Sequence, residues 1–332
     1  MLRDFLHNKS RQIKFCYWLV IFGLVIVKGF LKSEIHFTFT QHRNMKRILT
    51  AAVVLFLVSA CTKTEDVIVK DNIPPPDHTI DSTVIEIYAN KVFVNLLGRE
   101  PIGNERTSAL SILKQENFSV ARREQFIETL ITKSEYRANL YTTANHEYLN
   151  DLDSTTMAEQ IQLFEYFLTQ PQYAPFYSII QSELTRMYVL RNTKADLVSG
   201  AIDFRTTLKN CTGNYFYDQI NMGTENFVVS TYQNFLFRYP TDAELVNGKI
   251  MVDGSEAILF LQTGESKADY INIFFNSDDY YEGRVRYVFV KYLFREPTPA
   301  EIGWYAGVYK NSGSYGALQK AVLAGDEYAG VD

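Results

Sequence analysis

The sequence predicts an all-α fold in which repeated helix-turn-helix units pack into a helical body behind a flexible N-terminal tether. Two observations carry this expectation. Three copies of the pattern Arg-x-Pro-x-x-x-Glu each follow an apolar run whose members are spaced three and four residues apart. Ahead of them, Pro74-Pro75-Pro76 stands in a polar stretch that favours extended polyproline geometry over packing.

From the N-terminal side, Met45-Lys46-Arg47 is a short basic start, followed by an uncharged apolar stretch and the small residues Ser59 and Ala60 before Cys61. That order reads as a signal peptide over residues 45–60. Val58-Ser59-Ala60-Cys61 resembles the lipobox of bacterial lipoproteins. The resemblance implies lipid on Cys61, cleavage in front of it, and anchoring in the bacterial cell envelope at the outer membrane. Residues 1–44 hold a second apolar stretch, Phe15 to Val27, between Lys14 and Lys28. Both apolar runs are short of the roughly 20 residues a crossing needs. Because a complete signal peptide starts at Met45, residues 1–44 are expected to lie upstream of the true start; the other reading is a two-helix membrane anchor. Residues 61–82 read as the lipidated cysteine and its tether, which reaches at most ~65 Å.

Charge narrows the function classes. Residues 1–60 hold 9 of the 33 Lys and Arg but 2 of the 38 Asp and Glu, leaving 24 basic against 36 acidic groups beyond the cleavage point. A balance near -12 argues against nucleic acid, which needs basic clusters to displace counterions. His78, His146 and Cys211 are too few for the common zinc sites, and a lipidated Cys61 leaves Cys211 without a disulfide partner. No metal or cofactor is expected, and Cys211 reads as a small buried apolar residue.

The three motifs are Arg99-Glu100-Pro101-Ile102-Gly103-Asn104-Glu105, Arg238-Tyr239-Pro240-Thr241-Asp242-Ala243-Glu244 and Arg295-Glu296-Pro297-Thr298-Pro299-Ala300-Glu301. Ser134-Glu135-Tyr136, Ser277-Asp278-Asp279-Tyr280 and Gly325-Asp326-Glu327-Tyr328 form a shared unit ending. The expected division is a first repeat over 83–137, a helical insert or degenerate repeat over 138–224, a second repeat over 225–283 and a third over 284–332. Proline disfavours helix in the residue before it, so the first helix of each unit should stop near the arginine. Thr241 and Thr298 then serve as N-caps, with Glu244 and Glu301 completing capping boxes and Pro299 at the first helical position. The arginines stand where a cation bonds the last carbonyls of the first helix or pairs with a carboxylate of the next. The functional alternative has them bind an anion.

The first two motifs are 139 residues apart and the last two 57. Within the wider gap, Asp153-Ser154-Thr155-Thr156-Met157-Ala158-Glu159 aligns with the motif but lacks its Arg and Pro, and keeps a Thr-x-x-Glu capping box. Glu159 to Thr169, Phe176 to Arg191 and Ala201 to Ile220 retain helical apolar spacing. Strand signals are weak; Ala257 to Leu261 is an apolar run that periodicity does not assign.

This pattern resembles a family of uncharacterised helical repeats in bacterial secreted and surface proteins, and more distantly the helical linker domain of phycobilisome linker polypeptides. Arg295 to Tyr328 carries most of the resemblance, with Trp304 and Tyr305 shortly after the turn. Glu105, Glu244 and Glu301 depart from it where a glycine is common. The resemblance implies a surface or scaffold role and supplies no activity.

Catalytic signals are weak. Asp151 with Asp153 and Asp278 with Asp279 lack the glycine-containing loop of an EF-hand, and Gly264-Glu265-Ser266-Lys267 lacks phosphate-loop spacing. The expected function is therefore a non-enzymatic envelope module that binds or scaffolds a protein or polysaccharide partner. The alternative is a polysaccharide hydrolase using an acidic pair. Most aromatic residues are assigned to packing. Tyr215 with Tyr217, Tyr280 with Tyr281, and Trp304 with Tyr305 are the candidate contact surface, since adjacent rings cannot easily all face one core.

Overall fold

Helices of sixteen residues open three of the four units of the chain. The structure, a computed structural model, describes residues 80–331. The expectations for residues 1–44, the signal peptide, Cys61 and the tether to residue 79 lie outside the described residues. Helix α1 spans Ser82–Leu97, α4 Ser134–Leu149 and α12 Asp278–Leu293. In the remaining unit the same place is taken by α9, Thr224–Thr231, prolonged by a π-helical turn over Tyr232–Leu236.

Each opening helix is followed by a corner and further helices. Unit one continues with α2 (Glu105–Leu113), a 3-10 turn (Gln115–Phe118) and α3 (Val120–Ile131). Unit two follows α4 with α5 (Ser154–Thr169), a 3-10 turn (Pro171–Phe176), α6 (Tyr177–Ser199), α7 (Phe204–Thr212) and α8 (Tyr215–Ile220). Unit three adds α10 (Asp242–Val252), a hairpin and α11 (Lys267–Asn276). Unit four ends with α13 (Pro299–Ser312), α14 (Tyr315–Leu323) and the single turn α15 (Asp326–Ala329). The fold is all-α as expected.

Its one sheet among the described residues pairs β1 (Ala257–Leu259) with β2 (Gln262–Gly264), antiparallel, Ile258 opposite Thr263. Phe260 and Leu261 turn the chain with positive φ, as a two-residue hairpin loop requires. Phe260 lies against Tyr232 and Phe274, while Leu261 is 98% exposed.

The shared ending Ser-Glu-Tyr turns out to be a beginning. Ser134 and Asp278 are the first residues of α4 and α12, so the first two endings are the first turns of the next opening helices, and the third forms the single turn α15. Ser277 caps α12 by accepting a hydrogen bond from the Tyr280 amide. The third stretch of the insert is broken at Gly213 and Asn214, where the Asn214 side chain accepts from the amides of Phe216 and Tyr217 and starts α8.

Core packing joins the units. Helix α1 buries Ile85, Tyr88, Ala89, Val92, Phe93, Leu96 and Leu97, each large side chain contributing about 1.5–3 kcal/mol. Tyr88 meets Phe118 edge-on at 5.0 Å and donates from its hydroxyl to Leu323 O at 3.0 Å. Asn95 donates to the Tyr328 hydroxyl at 2.7 Å. The buried Arg123 of α3 pairs with Asp326 and donates to Gly325 O. Unit four thus packs back on unit one, α14 against α3 and α15 against α1. Helix α12 lies against the π-helical turn at Gly283, where a Cβ would stand 2.0 Å from Phe235 O. No described helix is long and apolar enough to cross a membrane.

Candidate functional site

The three Arg-x-Pro corners are built alike. Each opening helix ends on a residue in the left-handed region, Gly98 at φ 74, Phe237 at φ 57 and Phe294 at φ 58, which turns the chain before the arginine. Pro101 and Pro240 are half-buried and Pro297 is buried in the bend. Thr241 and Thr298 then cap α10 and α13 in full capping boxes, Glu244 and Glu301 returning to the cap amides at 2.8 and 2.7 Å. In the first corner Ile102 has no hydroxyl, yet its amide still donates to Glu105 at 3.0 Å.

Each guanidinium is clamped between two carboxylates. Arg99 holds Glu105 at 2.7 and 3.1 Å and Glu135 at 2.5 and 2.8 Å. Arg238 holds Glu244 at 2.8 and 2.7 Å and Asp279 at 2.6 Å. Arg295 holds Glu301 at 3.0 and 2.6 Å and Glu327 at 2.7 Å through two nitrogens. All three also donate to the carbonyl of the following residue, Glu100, Tyr239 or Glu296. The rings of Tyr232 and Phe289 lie 4.9 and 5.0 Å from the guanidinium carbons of Arg238 and Arg295.

The second carboxylate explains the shared endings. Glu135, Asp279 and Glu327 stand in the first turns of α4, α12 and α15, so Arg99 and Arg238 tie their corners to the next unit and Arg295 ties its corner to the closing turn of unit four. The arginines do not bond the last carbonyls of the preceding helix, and the anion that each holds is supplied by the chain. Hydrogen bonds from Arg295 push Glu301 down to about 2. Arg99 holds Glu105 and Glu135 below the ordinary carboxylate range, and Arg295 does the same for Glu327. At Glu244, burial raises the pKa but is outweighed by Arg238 and the Thr241 amide.

The aligned segment in the insert differs. Asn150 and Asp151 turn the chain at φ 51 and 58, and Asp153, accepting from the amides of Thr155 and Thr156, caps α5. The helix therefore starts at Ser154, which puts Thr156 inside it, and the capping box with Glu159 does not form.

The candidate contact surface is corrected in part. Tyr217, Tyr280 and Tyr281 are buried, because α8 and α12 have neighbours on more than one side. Tyr280 meets Phe275 and Tyr309, and Tyr281 meets Tyr309 and accepts from Arg205. Tyr217 accepts from Asn234 at 3.0 Å. Tyr215 is half-buried against Phe164, and Tyr305 is half-buried against Phe289. Trp304 is 60% exposed. The corners themselves expose Ile102, Tyr239 and Phe294, which the sequence reading did not single out.

Other chemistry is sparse. Cys211 is buried, and burial pushes its thiol up to about 12. Glu183 is held above the ordinary range by burial, with Arg186 3.2 Å away. Among the described residues no group of His, Cys, Asp or Glu is arranged to hold a metal ion. Compared with known proteins, the chain matches no family model, no curated protein and no solved structure.

Proposed function

We propose that the protein is a non-enzymatic lipoprotein of the bacterial cell envelope, held at the outer membrane by lipid on Cys61, whose helical repeats bind or scaffold another envelope protein or polysaccharide. What supports the binding role is the use made of the recurring charges. Each corner arginine is spent on carboxylates of the chain itself, while the same corners leave large hydrophobic side chains exposed: Ile102, Tyr239 and Phe294. Exposed aromatic side chains on a rigid frame suit contact with a protein or a sugar face. The likeness of the motifs to bacterial surface repeats agrees with this reading.

Metabolic labelling with a palmitate analogue tests the anchor. Wild-type protein should take up label and Cys61→Ala should not; persistent labelling of the variant would overturn the lipoprotein reading. Capture from solubilised membranes tests the binding role. The Tyr239→Ser/Phe294→Ser variant should melt like wild type but lose its captured component, and undiminished capture would remove the corners from the contact surface.

A further inference from the structure

Arg284 is 1% exposed and lies on α12 at a small polar cavity between α4, α12 and α14. Its guanidinium donates to Asn234 O at 2.9 Å and, at 3.4 Å, to Phe235 O and the Tyr148 hydroxyl. None of these partners is a carboxylate. Arg284 and Tyr315 both line the cavity, and the buried Arg284 Nε and Tyr315 hydroxyl have no hydrogen-bond partner. Burying a cation without a counter-charge costs several kcal/mol, and buried donors in native proteins are almost always satisfied.

The neighbouring charges do not supply the balance. Glu147 accepts from the Tyr287 hydroxyl at 2.6 Å, and Lys291 donates to that same hydroxyl at 2.6 Å. Two cations against one carboxylate leave one positive charge. The hydroxyl of Tyr292 already accepts from Gln319 and so has its proton to donate. The cavity has room for roughly one water, too little for a tetrahedral oxyanion.

We propose that this cavity is a binding site for a small monovalent anion of the halide class, held by Arg284 and the hydroxyl of Tyr315 where three units meet. The anion neutralises Arg284 and ties α4, α12 and α14 together, so its occupancy sets the stability of the body.

Melting of the purified full-length protein in sodium chloride, bromide and gluconate at one ionic strength provides the test. Chloride and bromide should raise the melting temperature saturably over gluconate, as a ligand of the folded state does, and Arg284→Met should abolish the rise. Tyr315→Phe, which keeps the ring, should increase the half-saturating halide concentration about tenfold, the loss of one hydrogen bond to a charge. Bromide-soaked crystals should show an anomalous peak beside Arg284 Nε. Equal melting in all three salts, unchanged half-saturation in Tyr315→Phe, or a water in place of the bromide peak would each overturn the site.

Discussion

The corner at Arg295 and the corner at Asn150 turn the chain by similar means and differ in what they join. Both follow a sixteen-residue helix, both pass through the left-handed region, and both end on a side chain that caps the next helix. Only the Arg295 corner holds a carboxylate from a later helix, Glu327 of α15. At Asn150 the one ion pair is the exposed His146–Asp151 contact, five residues apart. The clamp is therefore not needed to reverse the chain. It serves to seat the first turn of a helix further along the chain. Where it is missing, α5 runs to sixteen residues and packs against α6 of its own unit, leaving Leu163, Tyr166, Phe176 and Ile179 exposed.

The largest expected effect lies where an opening helix meets a corner of the preceding unit. Gly283→Ala places a methyl against Phe235 O and Leu236 Cα, backbone atoms that cannot rotate away. It should cost about 3 kcal/mol or more in urea unfolding, at the upper end of overpacking penalties. A loss under about 1 kcal/mol would mean that the contact between units three and four is looser than the corner geometry requires.

Removing one clamp should come next. Arg295→Ala should cost about 1–3 kcal/mol, since charge-assisted bidentate bonds to two carboxylates are lost. Asp151→Ala, at the unclamped corner, should stay within about 0.5 kcal/mol. Equal losses would erase the distinction between the corners. Acid sharpens it further. Glu301 falls from its ordinary 4.5 to about 2 in the folded protein, so its contribution is full above about pH 5 and is lost as pH drops toward 2. The wild-type melting temperature should fall over that window, and Arg295→Ala should fall less steeply.

Capping should not distinguish the two kinds of corner. Thr298→Ala and Asp153→Ala should each cost about 1 kcal/mol by thermal melting, because each removes an acceptor for an orphan amide. A cost confined to Thr298→Ala would tie capping to the clamp.

The last expected effect is a gain. Phe294 is 87% exposed at φ 58, a conformation glycine adopts without strain. Phe294→Gly should raise stability by about 0.5–1 kcal/mol, the relief of a left-handed non-glycine residue. A stabilised variant that also loses its membrane partner would show that the strain is kept for contact; a destabilised one would mean that the ring supports the corner.

Local order determined most of what the sequence made legible. The helix stops before Pro101, Pro240 and Pro297, the capping boxes of Thr241 and Thr298 and the helical spacing of the apolar runs all depend on neighbours within seven residues. The pairing of each arginine with the Glu of its own motif belongs to the same range. Even the shared endings were visible as repeated words, though not as partners of the arginines. Their distances of 36, 41 and 32 residues from Arg99, Arg238 and Arg295 differ, because α2, α10 and α13 and their loops differ in length.

Only the tertiary structure decided which carboxylates close the clamps and which aromatic residues face solvent. A helix presents adjacent residues about 100° apart, so Tyr280 and Tyr281 leave α12 on different sides, Tyr280 reaching Phe275 and Tyr281 reaching Arg205, although both touch Tyr309. Both are buried because α12 is surrounded, and periodicity within a segment carries no record of how many neighbours a helix acquires. The same holds for Arg284, an ordinary charge in sequence and a buried cation only because α4, α12 and α14 converge around it.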